Sequence, residues 1–387
     1  MKAKTFTKKG YMPRQLYSSL LLYIFYAIVL IAVIGCKKNL HIDEILTYGL
    51  SNDSAGQGIN IEEGVTYEPA EIGFINYFTV SPDHRFDYKS VWRNQAGDVH
   101  PPLYYAVVHT ICSLLPPGRF SKWSAGCVNI ICMLIILYIS SKIAEEFVQS
   151  RFYLKLIQIT FILCAGMLSS VSFFRMYVMA MLWVSWFAYL LIHFIGRQRE
   201  WKLYFCIFIA ALGGALTHYY CIVYMFFICV VYGILLLYEK RWKDTACFVG
   251  TMTAAGGVSL LIFPAMLEHV LHSYRGEESA ENLRMPLSEY WERIKTYYRF
   301  FDTQVFGGLF LIIVCFGVIL AIAVLGSRSA SDQSSWHKGM AVNKRMVYKW
   351  LLLGLPGTLY FLLVAKISVY IADRYILICS LLGRQVK

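Results

Sequence analysis

The stretch GDVHPPLYYAVVHT, Gly97 to Thr110, sets an acid, an imidazole and two prolines at the mouth of an apolar segment. Asp98 and His100 are unfavourable in lipid. Pro101 and Pro102 disrupt a helix interior but suit a helix start. Four other short stretches carry chemically capable side chains: Asp43 and Glu44 in HIDEILTYG, Arg175 and Tyr177 in FFRMYVMAMLW, His218 and Tyr219 in THYY, and Arg275 in SYRGEE. A fifth, DRY, holds Asp373, Arg374 and Tyr375 near the end of the chain. Acids of this kind can take a proton or bind a cation. Arginines offer planar forks to phosphate, and aromatic rings can lie against the apolar face of a sugar. Together the residue types suit transfer of a sugar from a lipid phosphate.

The elements that must position them are membrane helices. The 387 residues are 58% hydrophobic and only 16% charged, against about 25% charged in a soluble domain. Long apolar runs recur, starting with Leu16 to Gly35, and about 20 apolar residues cross a bilayer core. Barrel strands would alternate apolar and polar residues instead. The expected fold is all-α and polytopic, a single transmembrane domain over 1–387. The formal charge of +12 reads as cytoplasmic loops balanced by anionic headgroups, with no nucleic-acid partner. The eleven cysteines are scattered through apolar runs and read as small buried hydrophobes. Val33–Cys36, VIGC, weakly resembles a lipoprotein cleavage box, but the many later spans favour a retained first helix.

Lys/Arg counts orient the spans. Lys2, Lys4, Lys8, Lys9 and Arg14 keep the N-terminus in the cytoplasm, so the first span delivers residues 36–102 to the outside. This loop carries ten Asp and Glu against five Lys and Arg. Pieces such as PAEIGFINYF suggest amphipathic helices on the membrane surface. Leu103 to Leu115 is short for a span and fits a re-entrant or interfacial segment. Spans are then expected near 124–141, 156–172, 176–195, 203–218, 219–238, 246–267, 303–326 and 346–365. This order puts the basic clusters Lys142/Arg151/Lys155, Arg197/Arg199/Lys202, Lys240/Arg241/Lys243 and Arg328/Lys338/Lys344/Arg345/Lys349 inside. A second outer loop covers 268–300. Ile376 to Gly383 is too short to cross, and the chain is expected to be truncated. In this topology all six polar stretches gather on one membrane face. His109 and His193 lie within apolar runs and read as structural.

An Asp-Glu pair directly after the first span, then DVHPPLYY, then an Arg-Met-Tyr span start, then THYY: the combination resembles the GT-C glycosyltransferases. Within them it resembles the branch of the protein O-mannosyltransferases and the aminoarabinose transferases of lipid A. The likeness runs over most of the chain but rests on short motifs. It implies a GT-C-like fold. Asp43, with Glu44 beside it, would be the catalytic base or the acceptor-side anchor. His100, Pro101 and Pro102 would pack the loop helices near the donor groove. Phe173 stands where relatives often carry a glutamate two residues before the arginine. Relatives also continue past the DRY-like region with further spans and often an outer domain.

The expected activity is an inverting transfer from a polyprenyl-phosphate sugar to a glycan, lipid or protein acceptor, on the outer face of a bacterial cytoplasmic membrane. Asp43 and Glu44 are the expected catalytic residues, with Asp43 as the base that deprotonates an acceptor hydroxyl. Asp98, His100, Arg175, Tyr177, His218, Tyr219, Arg275 and Arg374 are the expected donor- and acceptor-binding residues. No GxGxxG or P-loop is present, no cofactor is required, and a divalent metal at Asp43/Glu44 is compatible but not demanded. The rival reading is a transporter or lipid flippase, which would place ionisable residues near the membrane midplane. A third is a non-catalytic membrane protein left by truncation.

Overall fold

In the computed structural model, which describes residues 14–54, 64–66, 68, 74–197, 200–316, 319 and 344–383, every regular element among those residues is a helix. Helices are what apolar runs must form, because in hydrocarbon each backbone N–H and C=O has to be satisfied within its own segment. After α1 (Arg14–Cys36) come four shorter helices: α2 (Ile42–Asn52), α3 (Phe74–Phe78), α4 (Tyr88–Ala96) and α5 (Leu103–Leu114). Then α6 (Trp123–Glu145) leads away, the pair α7 (Arg151–Ile162) and α8 (Ala165–Ser172) leads back, and α9 (Tyr177–Phe194), α10 (Trp201–Ala215), α11 (Tyr219–Tyr238) and α12 (Trp242–Ile262) alternate. Next are α13 (Ala265–Leu271), α14 (Tyr274–Asn282), α15 (Leu287–Phe301) and α16 (Phe310–Phe316). The described chain closes with α17 (Lys344–Ile367) and α18 (Asp373–Gly383). Among the described residues, α1, α6, α9, α11, α12 and α17 are long and apolar enough to cross a membrane.

Hydrogen bonds fix which ends lie together. Lys122, just before α6, donates from Nζ to the carbonyls of Gly35 (3.0 Å) and Lys37 (2.6 Å), satisfying the last turn of α1. Asn129 on α6 is fully buried and donates to the carbonyls of Val171 (3.2 Å) and Phe173 (3.0 Å), which ties in the end of α8. At the other end of the bundle, Arg241 donates to the Arg197 carbonyl (3.2 Å), and Glu146 meets both His193 (2.7 Å) and Lys349 (2.5 Å). The loops α6–α7, α9–α10 and α11–α12 and the first turns of α17 therefore share that second end. The described members of the basic clusters sit there. Lys2, Lys4, Lys8, Lys9, Arg199, Arg328 and Lys338 lie outside the described residues, as do 69–73 of PAEIGFINYF and 384–387.

The prolines mark a helix start, as their chemistry requires. Pro102 is the N-cap of α5, and the first N–H after it, that of Leu103, donates to the Leu216 carbonyl at the end of α10 (2.9 Å). The chain then reaches α6 beside Gly35, so both flanks of α5 lie at the first end and α5 does not traverse the bundle.

Three expected spans differ in form. The helix at 156–172 is broken into α7 and α8, which meet at 47°. The span at 203–218 is α10, whose 15 residues reach about 22 Å, short of a bilayer core of about 30 Å. The span at 303–326 is described only in part. There α15 and a π-helical turn, Asp302–Phe306, give way to α16 at 75°. The cause of that bend is local: Gly307 and Gly308 take left-handed φ of 63° and 82°, which ends a helix. Asp302 Oδ1 then accepts from the Phe310 N–H (2.9 Å) and starts the next one.

Candidate functional site

The loop after α1 turns into α2 through a reciprocal cap. His41 Nδ1 accepts from the Asp43 N–H (3.1 Å), and Glu44 Oε2 accepts from the His41 N–H (2.6 Å). Glu44 Oε1 accepts from the Phe174 N–H (2.7 Å), and Lys37 Nζ stands 3.0 Å from Oε2. The Glu44 side chain is fully buried. Glu44, expected beside Asp43 as a catalytic acid, thus anchors α2 to the turn before α9, with both its oxygens taken. Glu44→Ala should therefore destabilise the fold by about 2–4 kcal/mol, since it leaves buried donors unpaired. Thermal unfolding in detergent would show it as a lower midpoint, and an unchanged midpoint would contradict this role.

One turn of α2 places Asp43 differently from its neighbour. Asp43 lines a cavity of about 350 Å³ at the first end of the bundle, together with His100, Arg175, Tyr177, His218, Tyr219, Arg275 and Arg374. Every expected site residue except Glu44 and Asp98 is on that wall. Asp98 stands directly behind it, its Oδ2 accepting from His100 Nδ1 (2.8 Å). The wall also holds Tyr220, His269, Tyr370 and Tyr375 and the apolar Ile222, Val223, Ile367 and Val369. Ile222, Val270 and Tyr370 line the cavity and are exposed. Tyr220 and Tyr375 belong to the quoted motifs THYY and DRY. His269 and Tyr370 carry no local signal and enter the site only because α13 and the α17–α18 turn fold over it.

Three arginines dominate the electrostatics. Arg175, only 5% exposed, donates from Nη1 to the Asp43 carbonyl (3.2 Å), Thr47 Oγ1 (3.3 Å) and Tyr105 Oη (3.1 Å). Arg374, on the first turn of α18, reaches back to α2, with Nη2 3.3 Å from Asp43 Oδ2. Its guanidinium lies over the rings of Phe173 (5.3 Å), Tyr177 (5.8 Å) and Tyr375 (5.7 Å). Phe173 thus serves as a platform for an arginine and stacks on Tyr177 at 15°. Arg275 lies between Tyr370 (4.3 Å) and Tyr274 (4.8 Å). Among the described residues Arg275 Nη1 is buried with the Glu278 carboxylate 3.6 Å away, and Arg175 Nε and Arg374 Nε are buried with no hydrogen-bond partner. Buried donors normally find one, so the wall is prepared for an anion.

Two of the imidazoles, His218 and His100, are shifted toward the neutral form. His218 caps α11, its Nδ1 accepting from the Tyr220 N–H (3.1 Å), a role open only to an unprotonated nitrogen. Burial, with His100 and the arginines nearby, pushes it well below the usual histidine value. Burial also lowers His100, against the pull of Asp98. For Asp98, burial alone would raise the carboxyl, but the His100 hydrogen bond and Arg175 outweigh it and hold it below its ordinary value. An unfolded chain protonates both histidines near pH 6.5. Below that pH the unfolded state binds more protons than the folded one, so stability is full above about pH 6.5 and falls as pH drops toward the lowered folded values. The unfolding midpoint should drop between pH 7 and pH 5. His218→Asn, which keeps a capping oxygen but cannot titrate, should flatten that drop. An equally steep drop in the variant would exclude His218 as its source.

The donor set does not fit a cation at Asp43/Glu44. Glu44 turns both oxygens into the protein, and Asp43 Oδ2 faces an arginine. Among the described residues no three His, Cys, Asp or Glu side chains gather as a metal site. No family model, curated protein or solved structure matches the chain.

Proposed function

We propose that the chain is a membrane glycosyltransferase of GT-C type, moving a sugar from a polyprenyl-phosphate donor to an acceptor on the extracytoplasmic face. The observation that carries this reading is the cavity itself: Arg175 and Arg374, each with a buried nitrogen that makes no hydrogen bond among the described residues, contact Asp43, and Arg275, tyrosines and an exposed apolar edge complete the wall. A phosphate answers the arginines. The tyrosine rings suit a sugar face. An isoprenoid chain answers the apolar edge, since each buried CH₂ contributes about 0.8 kcal/mol. In the reaction the arginines stabilise the departing polyprenyl phosphate as its charge develops. Asp43 holds Arg374 in place and anchors the acceptor. The short basic loops at the far end of the bundle favour the cytoplasm for that end and the outside for the cavity. The short helices α2, α3 and α4 then lie at the outer membrane surface.

The test is purified full-length protein in lipid discs, given radiolabelled polyprenyl-phosphate mannose and polyprenyl-phosphate aminoarabinose, with a membrane lipid extract as acceptor. The expected result is free polyprenyl phosphate and labelled acceptor. Movement of solute or lipid across proteoliposomes with no sugar transfer would replace this reading with a transporter or flippase.

A further inference from the structure

Hydrogen bonds define the tautomers of two of the cavity histidines, His100 and His218. His100 Nδ1 lies 2.8 Å from the Asp98 carboxylate, which can only accept, so Nδ1 carries the proton and Nε2 keeps a lone pair. No partner for Nε2 is present among the described residues. His218 is the opposite case: its Nδ1 accepts from a backbone N–H, so its proton is on Nε2. The two rings meet edge to face, with centroids 6.0 Å apart and planes at 67°. Both residues line the cavity, and they bring to it a hydrogen-bond acceptor on one ring and a donor on the other. A hydroxyl group answers both, giving its proton to one nitrogen and receiving from the other. A carboxylate or an ammonium answers only one.

We propose that His100, oriented by Asp98, is the proton acceptor of the transfer, and that the group it deprotonates is a neutral hydroxyl of the acceptor. This rests on the glycosyltransferase reading above. The hydroxyl oxygen forms the bond to the anomeric carbon, and its proton passes to His100 Nε2. The bond from that carbon to the phosphate oxygen breaks, and the electron pair leaves with the polyprenyl phosphate. Asp98 then faces an imidazolium, as the orienting carboxylate does in other histidine bases. Asp43 is the other acid in the cavity, but its Oδ2 is engaged by Arg374. The charged and titratable groups around His100 are Asp98 on its own segment, Arg175 before α9, His218 before α11 and Arg275 on α14. Arg175 and Arg275 oppose protonation, which keeps the imidazole available as a base at neutral pH.

The assay above, run from pH 5 to pH 8, reads the outcome. For His100→Gln, kcat should fall about 10²- to 10³-fold with the donor KM within about twofold of wild type. The acid limb of the kcat/KM profile, present in wild type below about pH 6.5, should vanish. Asp98→Asn, a positioning change, should lower kcat less and move that limb. Histidine ¹⁵N NMR of the full protein gives a second readout, the His100 signal being the one lost in His100→Gln. It should show a neutral Nδ1–H ring at pH 7, and Asp98→Asn should weaken that preference. If wild type transfers sugar and His100→Gln matches it with the acid limb intact, the proposal falls and the glycosyltransferase reading stands. An imidazolium, or an Nε2–H ring, at pH 7 overturns it whatever the turnover. A wild-type protein that transfers nothing removes both.

Discussion

Asp43→Asn should lower turnover of a polyprenyl-phosphate sugar by about 10²-fold while leaving the fold intact. The substitution is nearly isosteric and spares every backbone contact at this position. His41 still caps the Asp43 N–H, and the carbonyl still accepts from Arg175 and Thr47. What is lost is the negative charge 3.3 Å from Arg374. Arg374 then leaves its place over the rings of Phe173 and Tyr177, and the cavity gains positive charge. Binding of dodecyl phosphate, a soluble stand-in for the donor, should be unchanged or tighter, because repulsion from the carboxylate is gone. A fall in kcat without a loss of phosphate affinity is the signature. The acid limb of the pH profile should persist in this variant, because it belongs to His100. Normal turnover by Asp43→Asn would remove the acid from the reaction.

Arg175→Lys should lower turnover by a similar factor and also destabilise the protein by about 1–3 kcal/mol. Arg175 is almost fully buried and joins α2, through the Asp43 carbonyl and Thr47, to Tyr105 on α5. Lysine keeps the charge but not the planar fork, so it can satisfy some of these acceptors and not aim a second nitrogen into the cavity. Dodecyl phosphate should bind at least several-fold more weakly. Thermal unfolding and phosphate titration on the same preparation separate the two effects. A less stable variant with normal affinity and turnover would make Arg175 a structural strut alone.

Much of the site was legible before folding because its residues come in short motifs with unusual side chains at the ends of apolar runs. Asp43, His100, Arg175, His218 and Arg374 stand out for that reason, and all of them meet in one cavity. Glu44 stood out for the same reason but is turned into the protein. His41-x-x-Glu44 is a capping box with a histidine in the place usually held by serine or threonine, so its spacing did not announce a cap. His269 and Tyr370 sit in unremarkable segments, and only the folding of distant chain over the cavity gives them a part.

The amino-acid order by itself determined the helical, membrane-compatible character of this protein, because the preference of an apolar run for hydrocarbon is a local property that adds up residue by residue. It also determined where α5 begins, since proline imposes its restriction on its own backbone. Tertiary structure alone decided which of two adjacent acids faces the cavity and which disappears into the protein. About 100° of helix rotation separates them, and a backbone N–H from Phe174, far along the chain, claims one. The pairing of Asp43 with Arg374 and the approach of the His100 ring to the His218 ring are likewise products of contact between segments, and no stretch of sequence read alone contains them.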